Sequence, residues 1–115
     1  TYIYEPDVAL LKGGCFKVIC RDFDLLKLHQ HTHLYTSDVL NTDFIGRKFK
    51  LEKSWDYTEF IKKNLLKKAN IICRNFPLQS PDLKKKHKIQ DGGDDYLLFT
   101  TGPENQLLVL HCSRL

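Results

Sequence analysis

The stretch Ala69–Thr101, ANIICRNFPLQSPDLKKKHKIQDGGDDYLLFTT, decides the fold. Its first residues, Ala69–Arg74, read as a short apolar strand. Ser80 then offers a hydroxyl to cap a helix. Pro81 fits the first helical position, and Asp82 suits the positive end of the helix dipole. The helix carries Lys84, Lys85 and Lys86 and stops near Lys88. The DGGDD that follows is a turn in which Gly92 or Gly93 takes a positive φ. Tyr96–Thr101 is the next strand.

Outward from this stretch the pattern continues in both directions. Gln106–Ser113 is a second strand, joined to the first by GPEN, which makes a C-terminal hairpin. Upstream, Arg47–Trp55 alternates, with Phe49 and Leu51 set against Lys48 and Lys50, and reads as a strand. Asp56-Tyr57-Thr58-Glu59 has the form of a capping box with Asp at its first position. It predicts a helix to about Lys68, with Tyr57, Phe60, Ile61 and Leu65 inward and Lys62, Lys63 and Lys67 outward. Pro6 to about Arg21 also reads as a helix. Glu5 and Asp7 sit at its positive end, and Val8, Leu11, Cys15, Val18 and Ile19 form its apolar stripe. Gly13-Gly14 weakens it by roughly 1 kcal/mol per glycine. Phe23–Phe44 is a loop with one extended piece around His33–Thr36. The expected fold class is α+β: an N-terminal helix and loop, then a β-α-β-α-β-β sandwich with helices on one face of a mostly antiparallel sheet.

At 115 residues, one domain spanning 1–115 is expected. A composition 42% hydrophobic and 28% charged is that of a globular chain with a modest core. No apolar run is long enough to span a membrane as a helix, and the N-terminal residues lack the pattern of a signal peptide. The chain contains no methionine, which points to a piece of a longer protein. Cys15, Cys20, Cys73 and Cys112 form no CxxC pair. They fit buried free thiols, and hence a cytoplasmic location. The net charge of +4 is unevenly spread. Residues 47–88 hold 13 Lys+Arg against 4 Asp+Glu, a local +9, and the remainder holds 5 against 10, a local −5. Such a basic segment attracts a polyanion, and the acidic part can face another domain.

Few motifs carry chemistry. His29, His31 and His33 lack a fourth ligand at zinc spacing and read as a polar loop. Asp91, Asp94 and Asp95 lack the spacing of a calcium loop and read as a turn. No glycine-rich cofactor loop occurs. The basic surface is the strongest signal: Arg47, Lys48, Lys50, Lys62, Lys63, Lys67, Lys68, Arg74, Lys84, Lys85, Lys86 and Lys88. If the two lysine helices pack side by side, their outer faces merge into one positive field. The alternative reading is a pair of solvated helix faces.

YIYEPDVALLKGG, HLYTSD and the Ala69–Thr101 stretch, in this order and spacing, resemble the THUMP-like C-terminal domain of bacterial class I SAM-dependent methyltransferases. The resemblance covers essentially the whole chain. It implies a Rossmann-type catalytic domain elsewhere in the parent protein, with S-adenosylmethionine bound there and no cofactor in this chain. It also implies RNA, tRNA or rRNA, as partner, with the chain non-catalytic by itself. On that resemblance Arg74, Lys84, Lys85, Lys86, Lys88, Lys62 and Lys63 are the RNA-binding candidates. Tyr4, Glu5 and Asp7 are the candidates for the interface with the catalytic domain. Asp91, Asp94 and Asp95 would shape the turn and repel phosphate from it. A structural or dimerisation module docking on the catalytic domain is the alternative.

Overall fold

A computed structural model describes residues 1–6, 26–29, 32–40, 46–63 and 66–115. In chain order the elements are β1 (Tyr2–Pro6), β2 (Leu26–His29), β3 (Thr32–Ser37), β4 (Gly46–Asp56), α1 (Tyr57–Lys63), β5 (Asn70–Arg74), α2 (Ser80–His87), β6 (Asp95–Thr101) and β7 (Leu107–Arg114). The seven described strands form one sheet in the order β2-β3-β1-β4-β7-β6-β5. Every adjacent pair is antiparallel except β5–β6. The expected α+β class and mostly antiparallel sheet are therefore observed.

β4 sits at the centre, and its pairing explains its length. Its first half pairs with β1 (Tyr2 opposite Lys50, Pro6 opposite Gly46). Its second half pairs with β7, from Phe49 opposite Arg114 to Asp56 opposite Leu108. Between Leu51 and Lys53 the register slips: Leu51 faces Cys112, but Lys53 faces His111, so Glu52 is an extra residue, a β-bulge. Strand side chains alternate between faces, so one extra residue inverts the alternation. Phe49 and Leu51 pack on one face of the sheet, and Trp55 packs on the other.

Each face of β6 and β7 has its own core. On one face Leu97, Phe99 and Val109 meet Trp55, Phe60 of α1 and Leu83 of α2. On the opposite face Leu98, Leu110 and Cys112 meet Ile3, Leu34, Phe49 and Ile72. Burial on both faces accounts for the unbroken apolar runs in these strands. The two described helices cover the same face, as expected. On the other face the sheet curls until β3 reaches β5.

The curl is fastened by charge. Glu5 on β1 is buried, and its side chain is 9% exposed. Arg47 on β4 donates to Glu5 Oε1 through Nε, at 2.7 Å, and through Nη2. Arg74 on β5 places Nη2 2.8 Å from Glu5 Oε2 in an ion pair. Glu5 thus joins the N-terminal strand to the sheet centre and to the far edge at once.

The helices meet through a histidine. The Tyr57 hydroxyl lies 2.9 Å from His87 Nε2. The His87 ring packs edge-on against Phe60 and stacks on Phe99. Burial, and secondarily the neighbouring Lys86 charge, pushes the pKa of His87 below the ordinary imidazole value.

Several local expectations need correction. Pro6 ends a strand instead of opening a helix, and the remainder of the expected helix, residues 7–21, lies outside the described residues. The loop expected over residues 23–44 contains two paired strands, β2 and β3, with His33–Thr36 inside β3. The helix expected to reach Lys68 is described to Lys63, and Lys68 forms an isolated bridge with Gln90. Ile61, expected inward, is 49% exposed, because so short a helix turns only a narrow stripe onto the sheet. Leu65 lies outside the described residues. Gln79, not Ser80, is the N-cap of α2, and the Asp82 carboxylate accepts from the Gln79 N–H at 3.3 Å. The Ser80 hydroxyl donates to Ile71 O instead, at 3.4 Å.

Two outcomes are expected. Glu5→Gln lowers unfolding free energy by about 1–3 kcal/mol in urea titration, because two guanidiniums lose their carboxylate while remaining partly solvated. The effect shrinks in an Arg47→Gln/Arg74→Gln background. The second concerns acid. A histidine whose folded pKa is depressed binds more protons when unfolded. Its stability contribution is therefore complete above the unfolded value, near pH 6.5, and is lost as pH falls below it. Melting curves of wild type and His87→Phe between pH 7.5 and 5 should diverge, the variant losing less as pH falls.

Candidate nucleic-acid interface

The contact of α1 and α2 through His87 puts the lysines of both helices on the same side of the sheet. Each helix is polarised to suit its dipole. α1 has Glu59 in its first turn and Lys62 and Lys63 in its last, and α2 has Asp82 first and Lys84, Lys85, Lys86 and His87 last. Lys88 ends α2 in the left-handed region (φ 54°), which lets the Ile89 N–H reach Lys84 O at 3.0 Å. Lys62, Lys63, Lys85, Lys86 and Lys88 are exposed.

The seven expected RNA contacts differ in what else they do. Lys62, Lys85 and Lys88 are exposed without a side-chain partner among the described residues. Lys63 pairs with Glu59 at 3.5 Å, one helical turn earlier. Lys84 pairs with Asp91 at 2.8 Å. Lys86 holds its ammonium 5.5 Å over the Tyr57 ring, a cation–π contact. Arg74 is bound to Glu5 and also donates to Cys73 O at 2.8 Å, at the opposite side of the sheet from the helices. Of the interface candidates, Tyr4 is fully buried, with its hydroxyl 2.8 Å from Ser37 Oγ. Glu5 is buried against the two arginines. Asp7 lies outside the described residues.

Glu5 was legible in principle. Once YIYEP is a strand, Ile3 and Glu5 share a face, and a carboxylate on a core face needs a cation. Lys67 and Lys68 also gain a setting that spacing does not reveal. The Gln90 N–H donates to Lys67 O and the Ala69 N–H to Gln90 O, both at 2.9 Å, which sets this segment beside the end of α2.

The other candidate chemistries find little support. His29 closes β2 and His33 lies in β3, and His31 is outside the described residues. Among the described residues no group of three or more His, Cys, Asp or Glu is arranged to hold a metal. Asp91 is engaged by Lys84, and Asp95 by His111 at 2.7 Å. Gly92 and Gly93 have φ of 115° and 82°, as the turn reading requires. They do not form a nucleotide loop, since the turn leads from a helix into a strand. Burial pushes the Cys112 thiol up to about 12 and raises that of Cys73, so both are protonated at neutral pH. No described helix is long and apolar enough to cross a membrane.

Comparison with known proteins agrees with the geometry. Residues 2–44 match the family model of a ferredoxin-like domain, and residues 46–114 match that of a THUMP domain-like family. The boundary falls just before β4, although hydrogen bonding runs across it from β1 to β4. The crystal structure of a "putative methyltransferase" from Porphyromonas gingivalis W83 superposes with a TM-score of 0.91 at 39% identity. The match covers 98% of this chain and 29% of that one. No curated protein matches the chain. With the greater part of its length matched by that model, and the sheet and paired helices in place, the chain belongs to the THUMP-like family.

Proposed function

We propose that this chain is a non-catalytic accessory domain that presents RNA, tRNA or rRNA, to a SAM-dependent methyltransferase domain of the same polypeptide. The observation that carries the reading is the junction of α1 and α2 at Tyr57 and His87, 2.9 Å apart. It merges two lysine-bearing helices into one cationic side. The likeness to a part of a longer protein described as a methyltransferase supports the catalytic partner. S-adenosylmethionine would be bound by that partner, because the sequence carries no GxGxxG-type cofactor motif. This chain would supply affinity and orientation through sequence-independent contacts with the phosphate backbone.

Binding of total tRNA should show this directly. If about five phosphates are neutralised, log affinity falls with log salt at a slope of roughly −3.5 to −4.5. Reversing charge at Lys62, Lys63, Lys85 and Lys86 should weaken binding at least tenfold while the melting temperature stays within a few degrees. Absence of tRNA binding even at low salt would overturn the reading in favour of a module that only docks on the catalytic domain.

A further inference from the structure

Four of the seven expected RNA contacts already have partners in the chain: Arg74 with Glu5, Lys84 with Asp91, Lys63 with Glu59, and Lys86 with the Tyr57 ring. Of the other three, Lys62 and Lys85 lie on the helices, and Lys88 follows the end of α2. Lys68 pairs with Gln90 in a parallel bridge, so exposed Lys67 and Lys68 stand beside exposed Lys88, only two residues before Gln90. The Lys68 stem then lies along the Gly92–Gly93 turn. A Cβ on Gly92 would stand 3.0 Å from Lys68 Cε, and one on Gly93 3.8 Å from Lys68 Cδ. Both glycines accept positive φ, and Gly92 also leaves room for this stem, whereas a Cβ on Gly93 would meet it in ordinary van der Waals contact. Packing along the methylenes restricts where the Lys68 ammonium can go. Three carboxylates flank the two glycines. Asp91 is neutralised by Lys84, and Asp94 is exposed. Asp95 is drawn to His111 on β7. Lys67, Lys68, Lys84 and Lys88 against Asp91, Asp94 and Asp95 leave one positive charge in excess.

We propose that Lys67, Lys68 and Lys88, brought onto neighbouring segments by the Lys68–Gln90 bridge beside the Gly92–Gly93 turn, form a phosphodiester-binding site, and that the RNA backbone is gripped there rather than along the outer face of α2. The proposal rests on the RNA-presenting reading above. The helix lysines contribute a long-range field, and the turn lysines touch the phosphates.

The test compares tRNA affinity across a salt series for this chain and its variants. Lys67→Met/Lys68→Met/Lys88→Met should reduce the magnitude of the salt slope by about three, roughly one for each phosphate no longer neutralised. Lys62→Met/Lys85→Met should reduce it by less than one. Lys68→Met alone separates charge from packing, since it keeps an unbranched stem over the glycines. It should retain the wild-type melting temperature yet lose several-fold in affinity, and Lys68→Arg should restore the affinity. If wild type binds steeply but the triple variant keeps its slope, the site is elsewhere while the RNA reading stands. If Lys68→Met binds like wild type, Lys68 only packs the turn and the proposal falls. If wild type does not bind tRNA at low salt, the RNA reading itself fails.

Discussion

The bulge at Glu52 is the constraint on which the other features depend. A regular strand through residues 46–56 would send Phe49, Leu51 and Trp55 to one face. The extra residue sends the first two to the curled face and Trp55 to the helix face. One strand thereby serves two cores. Trp55 packs edge-on against Phe60 of α1, at 5.6 Å between centroids, and α1 begins two residues after it. Without the inversion, α1 would start from a strand end whose aromatic anchor points to the wrong side. Glu52 itself turns outward and accepts from Ser113 Oγ at 2.8 Å.

The two faces then take different tasks. The curled face brings an early strand and a late one together, and its open end holds a buried carboxylate between two arginines. Such a cluster is tolerated because the carboxylate has two cationic partners and both arginines remain accessible to water. The helix face buries aromatic rings in T-shaped and stacked contacts around Phe99, with Tyr57, Phe60, Phe76 and His87. Its outer surface carries the exposed Lys62, Lys63, Lys85 and Lys86. Positive charge therefore accumulates over the helices, while the two arginines on the other face share the single Glu5 carboxylate.

The fold was most legible where signals were local. The strand Ala69–Arg74, the helix opened by Ser80-Pro81-Asp82, the glycine turn and the C-terminal hairpin appear within a residue or two of their expected limits. Each rests on capping, proline geometry, positive φ or short apolar runs, which neighbouring residues settle among themselves. The strand over Tyr2–Pro6 was not legible. Five residues ending in a proline, with Glu5 before it and Asp7 after it, satisfy helix-start chemistry equally well. Only pairing with β3 and β4, more than 30 residues away, makes them extended. Ile61 shows the same limit, since helical spacing names an apolar stripe but not how much of it a neighbour covers.

The candidate site divides along the same line. The sequence by itself determined which segment is basic, that Lys62, Lys63, Lys84, Lys85 and Lys86 fall on two helices, and that a glycine pair reverses the chain before β6. These follow from composition and from backbone preferences that act over a few residues. Tertiary structure alone decided that Arg74 belongs to Glu5, that the two helices share a face through His87, and that Lys67 and Lys68 stand beside Lys88 and the glycine turn. Those outcomes depend on the strand order, the bulge register and the curl of the sheet. All three are long-range pairings, and their energy is gained only when distant parts of the chain close together.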